Sequence, residues 1–325
     1  MLVGLKPAFF RWPGGCVVEG ITLDNRFEWK KTLGDPAARP GEYSTWGYRC
    51  SYGFGYYEML QFCEDIGAKA MFVCNVGLGC QFRMGDACGE HDIDFYIDDC
   101  LDAIEYALGD ESTEWGARRA ADGHPAPFPL QYVEIGNENW GAEYDRRFDI
   151  FYKTIKEKYP QLTLIYNEMP QRDGASQITK TDMIDPHWYV DPYFFFRNTT
   201  LFDSYERGKY EVYVGEYACN RSVGAGNMLG ALSEAAFIGG MERIVLIKIC
   251  VSVNHSFSVD HNMFHINTCN DRGKHRKRIS LPSSKIILFC LIPALDQSRI
   301  DWKFPAVCFS RKHSSLCQFQ IQVIL

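Results

Sequence analysis

The chain has 325 residues, a length that fits one large domain or two ordinary ones. Its hydrophobic fraction of 46% and aromatic fraction of 14% are ample for a sizeable core, and its formal net charge of −7 argues against nucleic acid as the default partner. No run reaches membrane-spanning length, and Met1 leads into Leu2-Val3-Gly4-Leu5-Lys6-Pro7 without the charged start and apolar stretch of a signal peptide.

Ala8-Phe9-Phe10-Arg11 reads as a strand stopped by Pro13-Gly14-Gly15. The stretch from Cys16 to Gly53 is long and irregular, and its tryptophans favour an ordered, functional loop. Phe54 to Ile66 has apolar residues at helical spacing with Gly67 as a stop. Ala70 to Asn75 predicts a buried strand, Asp94 to Leu108 a helix, and residues 110–129 a polar, Pro-rich loop. Leu130 to Ile135 is the next strand. It runs into the octapeptide Glu134-Ile135-Gly136-Asn137-Glu138-Asn139-Trp140-Gly141. A helix over Asp145–Tyr159 follows, then strands at Leu162–Asn167, Met183–Tyr189 and Glu211–Glu216, and a helix over Asn227–Gly239.

Short buried strands alternating with helices are the signature of parallel βα units. Polar groups terminate those strands: Asn75, Glu138, Asn167, His187 and Glu216. A (β/α)8 barrel of the TIM type places its chemistry at such strand ends. A doubly wound sheet uses the same ends, but no Gly-x-Gly-x-x-Gly opens a helix here, so the barrel is preferred. Two strand-end carboxyl groups, Glu138 and Glu216, are what glycosidic hydrolysis needs, one to protonate the leaving oxygen and one to attack or to activate water. Metal sites and structural ion pairs also use such pairs. His187 and Tyr189 alternate past one strand end, where an imidazole or phenol can hold a carboxylate ionised, although His187 also reads as a satisfied structural histidine. The aromatics suit sugar stacking as well as a core, and the core reading comes first.

Phe10-Arg11-Trp12-Pro13-Gly14-Gly15-Cys16-Val17-Val18-Glu19-Gly20, Trp29-Lys30-Lys31-Thr32-Leu33-Gly34 and Arg39-Pro40 resemble the α-L-arabinofuranosidases of glycoside hydrolase family 51. Glu134-Ile135-Gly136-Asn137-Glu138, His187-Trp188-Tyr189 and Val214-Gly215-Glu216-Tyr217-Ala218 resemble that family's active-site segments, and the resemblance runs from about Leu5 to Arg243. It implies a retaining barrel enzyme that removes terminal non-reducing α-L-arabinofuranosyl groups from arabinose-containing plant polysaccharides such as arabinan or arabinoxylan. By motif match Glu138 is the general acid/base and Glu216 the nucleophile. Asn75 and Asn137 match sugar-binding positions, and His187 and Tyr189 match groups supporting the nucleophile and the sugar. The partner implied is an arabinofuranosyl oligo- or polysaccharide, with no nucleic acid, no membrane, no cofactor and no metal. A homo-oligomer stays open for intact relatives.

Two departures qualify the resemblance. The chain begins near what would be the second barrel strand, and the family pattern stops near Met241-Glu242-Arg243. From Ile244 onward there are 11 Lys+Arg against 4 Asp+Glu, or +7, leaving −14 for residues 1–243, and the tail holds one glycine of 28 and five of eight histidines. The expectation is therefore an incomplete barrel of about six strands over residues 1–243. Residues 244–325 form an atypical tail, read as a shifted frame or a retained intron, with a genuine accessory segment as the alternative. In that tail Ile286 to Ile292 predicts a strand and Lys274 to Arg278 a solvated basic run. An open barrel leaves strand edges unpaired, so poor stability and weak or absent activity are expected. The alternatives are an inactive carbohydrate-binding remnant or a related barrel glycosidase with another substrate. The compartment stays open, because the start reads as truncated. The thirteen cysteines show no metal-like spacing and read as small buried hydrophobes.

Overall fold

The computed structural model describes residues 3, 7–169, 177–205 and 208–242, and beyond them only four short strands. Strand β1 (Phe9–Trp12) opens the sheet, and a loop of short 3-10 turns follows, with a two-residue hairpin of β2 (Glu42–Tyr43) and β3 (Arg49–Cys50). Its anchor is Trp29, 1% exposed, whose indole N–H donates to the Asp99 carbonyl at 3.0 Å. The expected irregular stretch is thus ordered.

Helix α1 (Tyr56–Ile66) begins where Glu58 accepts a hydrogen bond from the Gly55 N–H at 2.8 Å and ends at Gly67 in the left-handed region. Strand β4 (Lys69–Cys74), helix α2 (Ile93–Leu108), helix α3 (Glu114–Ala121) and strand β5 (Leu130–Ile135) follow. Helix α3 lies inside residues 110–129, where the sequence predicts a loop. Its N-cap Thr113 accepts from the Gly116 N–H, and its buried Arg119 donates to the carbonyls of Tyr106, His124 and Pro125 at 2.7–2.9 Å. Those tertiary bonds hold a helix that its short, polar sequence does not announce.

Helix α4 (Ala142–Lys158), strand β6 (Thr163–Glu168) and strand β7 (Met183–Pro186) continue the alternation. The single strand expected over Met183–Tyr189 breaks at His187, and β8 (Trp188–Val190) leaves the main sheet. Helix α5 (Pro192–Arg197), strand β9 (Glu211–Val214), strand β10 (Tyr217–Cys219) and helix α6 (Met228–Glu242) follow. Six parallel strands run in the order β1-β4-β5-β6-β7-β9 and make a curled half-barrel, while β8 pairs in parallel with β10 in a second small ladder. In the tail, β11 (Ile249–Val253) pairs in parallel with β9. Strand β12 (His265–Asn267) pairs antiparallel with β13 (Arg278–Ser280), and β14 (Val323–Ile324) pairs antiparallel with β11. The expected strand Ile286–Ile292 and residues 274–277 of the basic run lie outside the described residues. Among the described residues no helix is long and apolar enough to cross a membrane.

Strand alternation sorts the core into two parts. Phe10, Trp12, Phe72, Cys74, Val133, Ile135, Leu164, Tyr166, Ile184, Val212 and Val214 face the helices in one large cluster. Phe9, Met71, Ile165, Met183 and Tyr213, with Tyr132, form a separate cluster on the inner face. Two residues further along these strands, on that same face, stand Arg11, Glu134, Asn167, Asp185 and Gly215. An apolar floor thus carries a polar layer at the C-terminal ends.

Candidate active site

Arg11 is the hub of that polar layer. Its Nε and Nη2 hold both oxygens of Glu134, Nη2 lying 2.9 Å from Oε1, while Nη1 lies 2.9 Å from Glu216 Oε1 and Nη2 lies 2.7 Å from Asn137 Oδ1. The guanidinium is 2% exposed and Glu134 fully buried. A charge buried so deeply persists only when paired and hydrogen-bonded, and a planar fork meets two carboxylates and an amide at once. Burial works against the Arg11 charge, but Glu134 and Glu216 outweigh it and raise the guanidinium further. Burial likewise raises Glu134 against the pull of Arg11, and two parallel N–H···O contacts are the geometry of an ionised pair.

Glu138 sits on the turn after β5. Gly136 has φ +83°, and a Cβ there would lie 2.6 Å from Asn139 Oδ1, so the turn admits only glycine at that point. Asn139 Oδ1 accepts from the Asn137 N–H at 3.1 Å. The Glu19 carboxylate then fastens the turn from outside, accepting from Asn137 Nδ2 at 3.2 Å and from Asn139 Nδ2 at 3.0 Å. Glu138 itself adopts φ +47°, a conformation that costs a non-glycine residue about 1–3 kcal/mol and persists because its neighbours are so tightly bound. Burial pushes the Glu19 carboxyl well up, with Cys80 and Glu138 acting in the same direction.

His187 links the two expected catalytic carboxyls. Its Nδ1 lies 3.0 Å from Glu138 Oε1 and 3.8 Å from Glu216 Oε2, and its Nε2 lies 3.1 Å from Asp185 Oδ2. The register that pairs Trp188 with Tyr217 sets His187 and Glu216 side by side, one residue before each, and Trp188 N donates to the Glu216 carbonyl at 2.9 Å. This is the physical consequence of the break in the expected strand. Burial opposes a charge on His187, but Asp185, Glu216 and Glu138 raise it well above the usual histidine range. Glu216 is completed by Tyr189, whose hydroxyl donates to Oε2 at 2.8 Å. Burial raises Glu216, yet His187, Arg11 and Tyr189 together hold it below the ordinary glutamate range. A carboxyl oxygen of Glu138 and one of Glu216 lie within 4.8 Å of each other.

Both shifts set a pH window. The raised His187 contributes stability in full below its unfolded value and loses it as pH rises through the folded one. The lowered Glu216 contributes stability above its unfolded value and loses it as pH falls through the folded one. Asp185 sets the first of these. It also receives the Gly215 N–H, and a Cβ on Gly215 would lie 2.2 Å from its Oδ2, so the residue before Glu216 must be glycine. Asp185→Asn keeps the shape and removes the charge. His187 then loses its proton at lower pH, Glu216 loses its largest opposing charge, and the acidic limb of the kcat/KM profile is expected to move upward. An unmoved limb in that titration removes Asp185 from this role.

Of the expected site residues, Glu138, Glu216, His187, Tyr189 and Asn137 meet at one focus. Asn75 does not join them through its amide. Its Nδ2 donates to the carbonyls of Val18 and Leu78 at 3.0 and 3.2 Å, and its Oδ1 accepts from Gly77 N at 2.6 Å. Asn137 likewise spends its amide on Arg11 and Glu19. The amides of both asparagines hold neighbouring segments of the protein together. Arg11, Glu19, Glu134 and Asp185 were not singled out from the sequence as site residues. For Arg11, Glu134 and Asp185 the signal was a charged side chain inside an otherwise apolar strand, in Phe9-Phe10-Arg11-Trp12, Tyr132-Val133-Glu134-Ile135 and Met183-Ile184-Asp185-Pro186; Glu19, in a turn, carried no such signal.

Residues 1–207 match the family model described as the alpha-L-arabinofuranosidase 1 domain. The chain is 38% identical over 248 residues to alpha-L-arabinofuranosidase 2 of Arabidopsis thaliana, covering 75% of this chain and 36% of that protein. It is 36% identical over 265 residues to the extracellular exo-alpha-L-arabinofuranosidase of Streptomyces chartreusis, covering 74% and 31%. Among solved structures, the arabinose-bound MgGH51 α-L-arabinofuranosidase superposes with a TM-score of 0.68 at 31% identity, covering 76% of this chain and 41% of that one. The chain thus spans about a third of the length of these curated relatives.

Proposed function

The chain belongs to the α-L-arabinofuranosidases of glycoside hydrolase family 51, and from that premise we propose that it is a retaining glycosidase for terminal non-reducing α-L-arabinofuranosyl groups. One observation carries the reading: the Glu138 and Glu216 carboxyls approach within 4.8 Å. Retaining enzymes hold theirs about 5–5.5 Å apart, whereas inverting enzymes need about 6.5–9.5 Å to seat a water between them.

In the proposed first step a Glu216 oxygen forms a bond to the anomeric carbon as the glycosidic C–O bond breaks, and Glu138 delivers a proton to the departing oxygen. In the second step Glu138 takes a proton from water, the water oxygen bonds to the anomeric carbon, and the Glu216 ester bond breaks. Arg11 and Tyr189 hold opposite oxygens of Glu216, which aims the nucleophile and keeps it ionised before attack. His187 holds Glu138 Oε1 and fixes the acid's orientation. The proposed substrate is an arabinofuranosyl oligo- or polysaccharide. Phe82, 40% exposed, meets Trp140 edge to face at 4.9 Å just beyond the acid/base turn, and this aromatic rim suits a sugar chain leaving the site.

The direct test is hydrolysis of an aryl α-L-arabinofuranoside followed by NMR of the first-formed sugar. Retention of the α anomer is expected, and a β product overturns the proposed mechanism. Glu138→Ala gives a second expectation. General acid help is worth roughly 10²–10⁴-fold where the leaving group needs a proton. The variant should lose that much on an alkyl or sugar aglycone and far less on a dinitrophenyl one. Equal losses on both aglycones remove the proton-donor role.

A further inference from the structure

We infer that Cys16, Cys80 and Glu19 form a site for a soft divalent cation of the Zn²⁺ or Cd²⁺ class, seated behind the turn that carries Glu138. The two sulfurs and a Glu19 carboxyl oxygen lie within 4.8 Å of one another, and all three residues are buried. Cys16 and Glu19 are three apart on a tight turn closed by Val18 N to Gly15 O at 3.1 Å and Gly20 N to Cys16 O at 3.0 Å, which puts both side chains on one face. Cys80 comes from a separate segment that is stitched to this turn. Its N–H donates to Gly20 O at 3.4 Å, and Asn75 Nδ2 donates to Val18 O at 3.0 Å. The frame is therefore fixed before any ion arrives. Both cysteines are free thiols.

Two thiolates and one carboxylate are a ligand set for a borderline or soft cation, with bonds of about 2.3 Å to sulfur and about 2.0–2.2 Å to oxygen. Binding forms two metal–sulfur bonds and one metal–oxygen bond, and the two thiol protons leave to solvent. Three protein ligands leave a fourth tetrahedral position open. The Glu138 carboxyl is in electrostatic reach of all three residues. The Glu19 oxygens now serve Asn137 and Asn139, the braces of the Glu138 turn. A cation that takes one of these oxygens loosens the brace, so occupancy inhibits hydrolysis. That last clause alone rests on the glycosidase reading.

The test is Cd²⁺ titration of the full chain by calorimetry and by the ultraviolet thiolate-to-cadmium absorption. Cys16→Ser and Cys80→Ser are each expected to lose one tight site, weakening it by roughly 10–100-fold or more, the range for disturbing even the supports of a metal ligand. Cys100→Ser, a buried thiol elsewhere, is expected to keep it. Unchanged stoichiometry and affinity in both Cys16→Ser and Cys80→Ser overturn the site. In a chain that turns over substrate, Zn²⁺ should inhibit the parent and spare Cys80→Ser. Binding without inhibition overturns the coupling to Glu138. A chain with no turnover overturns the glycosidase reading and leaves the cadmium result to decide the site by itself.

Discussion

Glu216→Gln is expected to lower kcat on an aryl α-L-arabinofuranoside by on the order of 10⁴-fold or more, the scale seen when a covalent nucleophile is removed. The amide cannot form the glycosyl ester, and no other carboxyl takes its place. Glu134 is locked on both oxygens by Arg11, and Asp185 is held by His187 and Gly215. The substitution keeps volume and keeps an oxygen for Arg11 Nη1 or Tyr189, so thermal unfolding should report a folded protein. Glu216→Ala adds a separate readout. It opens space at the nucleophile position, where added azide or formate is expected to restore turnover of an activated aryl substrate. With azide the product carries inverted stereochemistry, because only one displacement then occurs. Either variant retaining a tenth of the parent rate assigns the nucleophile elsewhere.

How much of this was legible in the sequence depended on whether the signal was local. Apolar runs located five of the six parallel strands to within a residue or two, and the start of the sixth at Met183, because a buried parallel strand is a short apolar run whatever surrounds it. Glu138 and Glu216 were legible because they follow such runs directly. The break at His187 was only partly legible: Pro186 can donate no ladder hydrogen bond, but the pairing of Trp188 with Tyr217 that draws the chain out of the sheet is not local. Helix α3 was hidden for a similar reason, since the buried Arg119 ties it to the Tyr106 carbonyl on α2, which no window over residues 110–129 contains. Arg11 stands 123 residues from Glu134 and 205 from Glu216, and only the pairing and curl of the sheet bring them together.

Removing Arg11 tests whether this hub serves stability, chemistry or both. Arg11→Met leaves Glu134 buried without its cation, and breaking one side of a buried pair costs about 3–5 kcal/mol. Urea unfolding should show that loss as a lower midpoint, and turnover should fall as well, because Glu216 loses one of the three groups that keep it ionised. The single variant cannot separate the two effects, but a double one can. Arg11→Met with Glu134→Leu replaces the pair by apolar groups on the same inner face as Phe9 and Tyr132, and such replacements are often neutral in stability. The double variant is expected to recover most of the unfolding midpoint while kcat stays low and the acidic limb of its pH profile moves upward. The reason is that the charge Glu216 needs is still missing. Recovery of stability and turnover together would show Arg11 to be scaffolding for Glu134 alone. Recovery of neither would show that the inner layer cannot repack around apolar side chains.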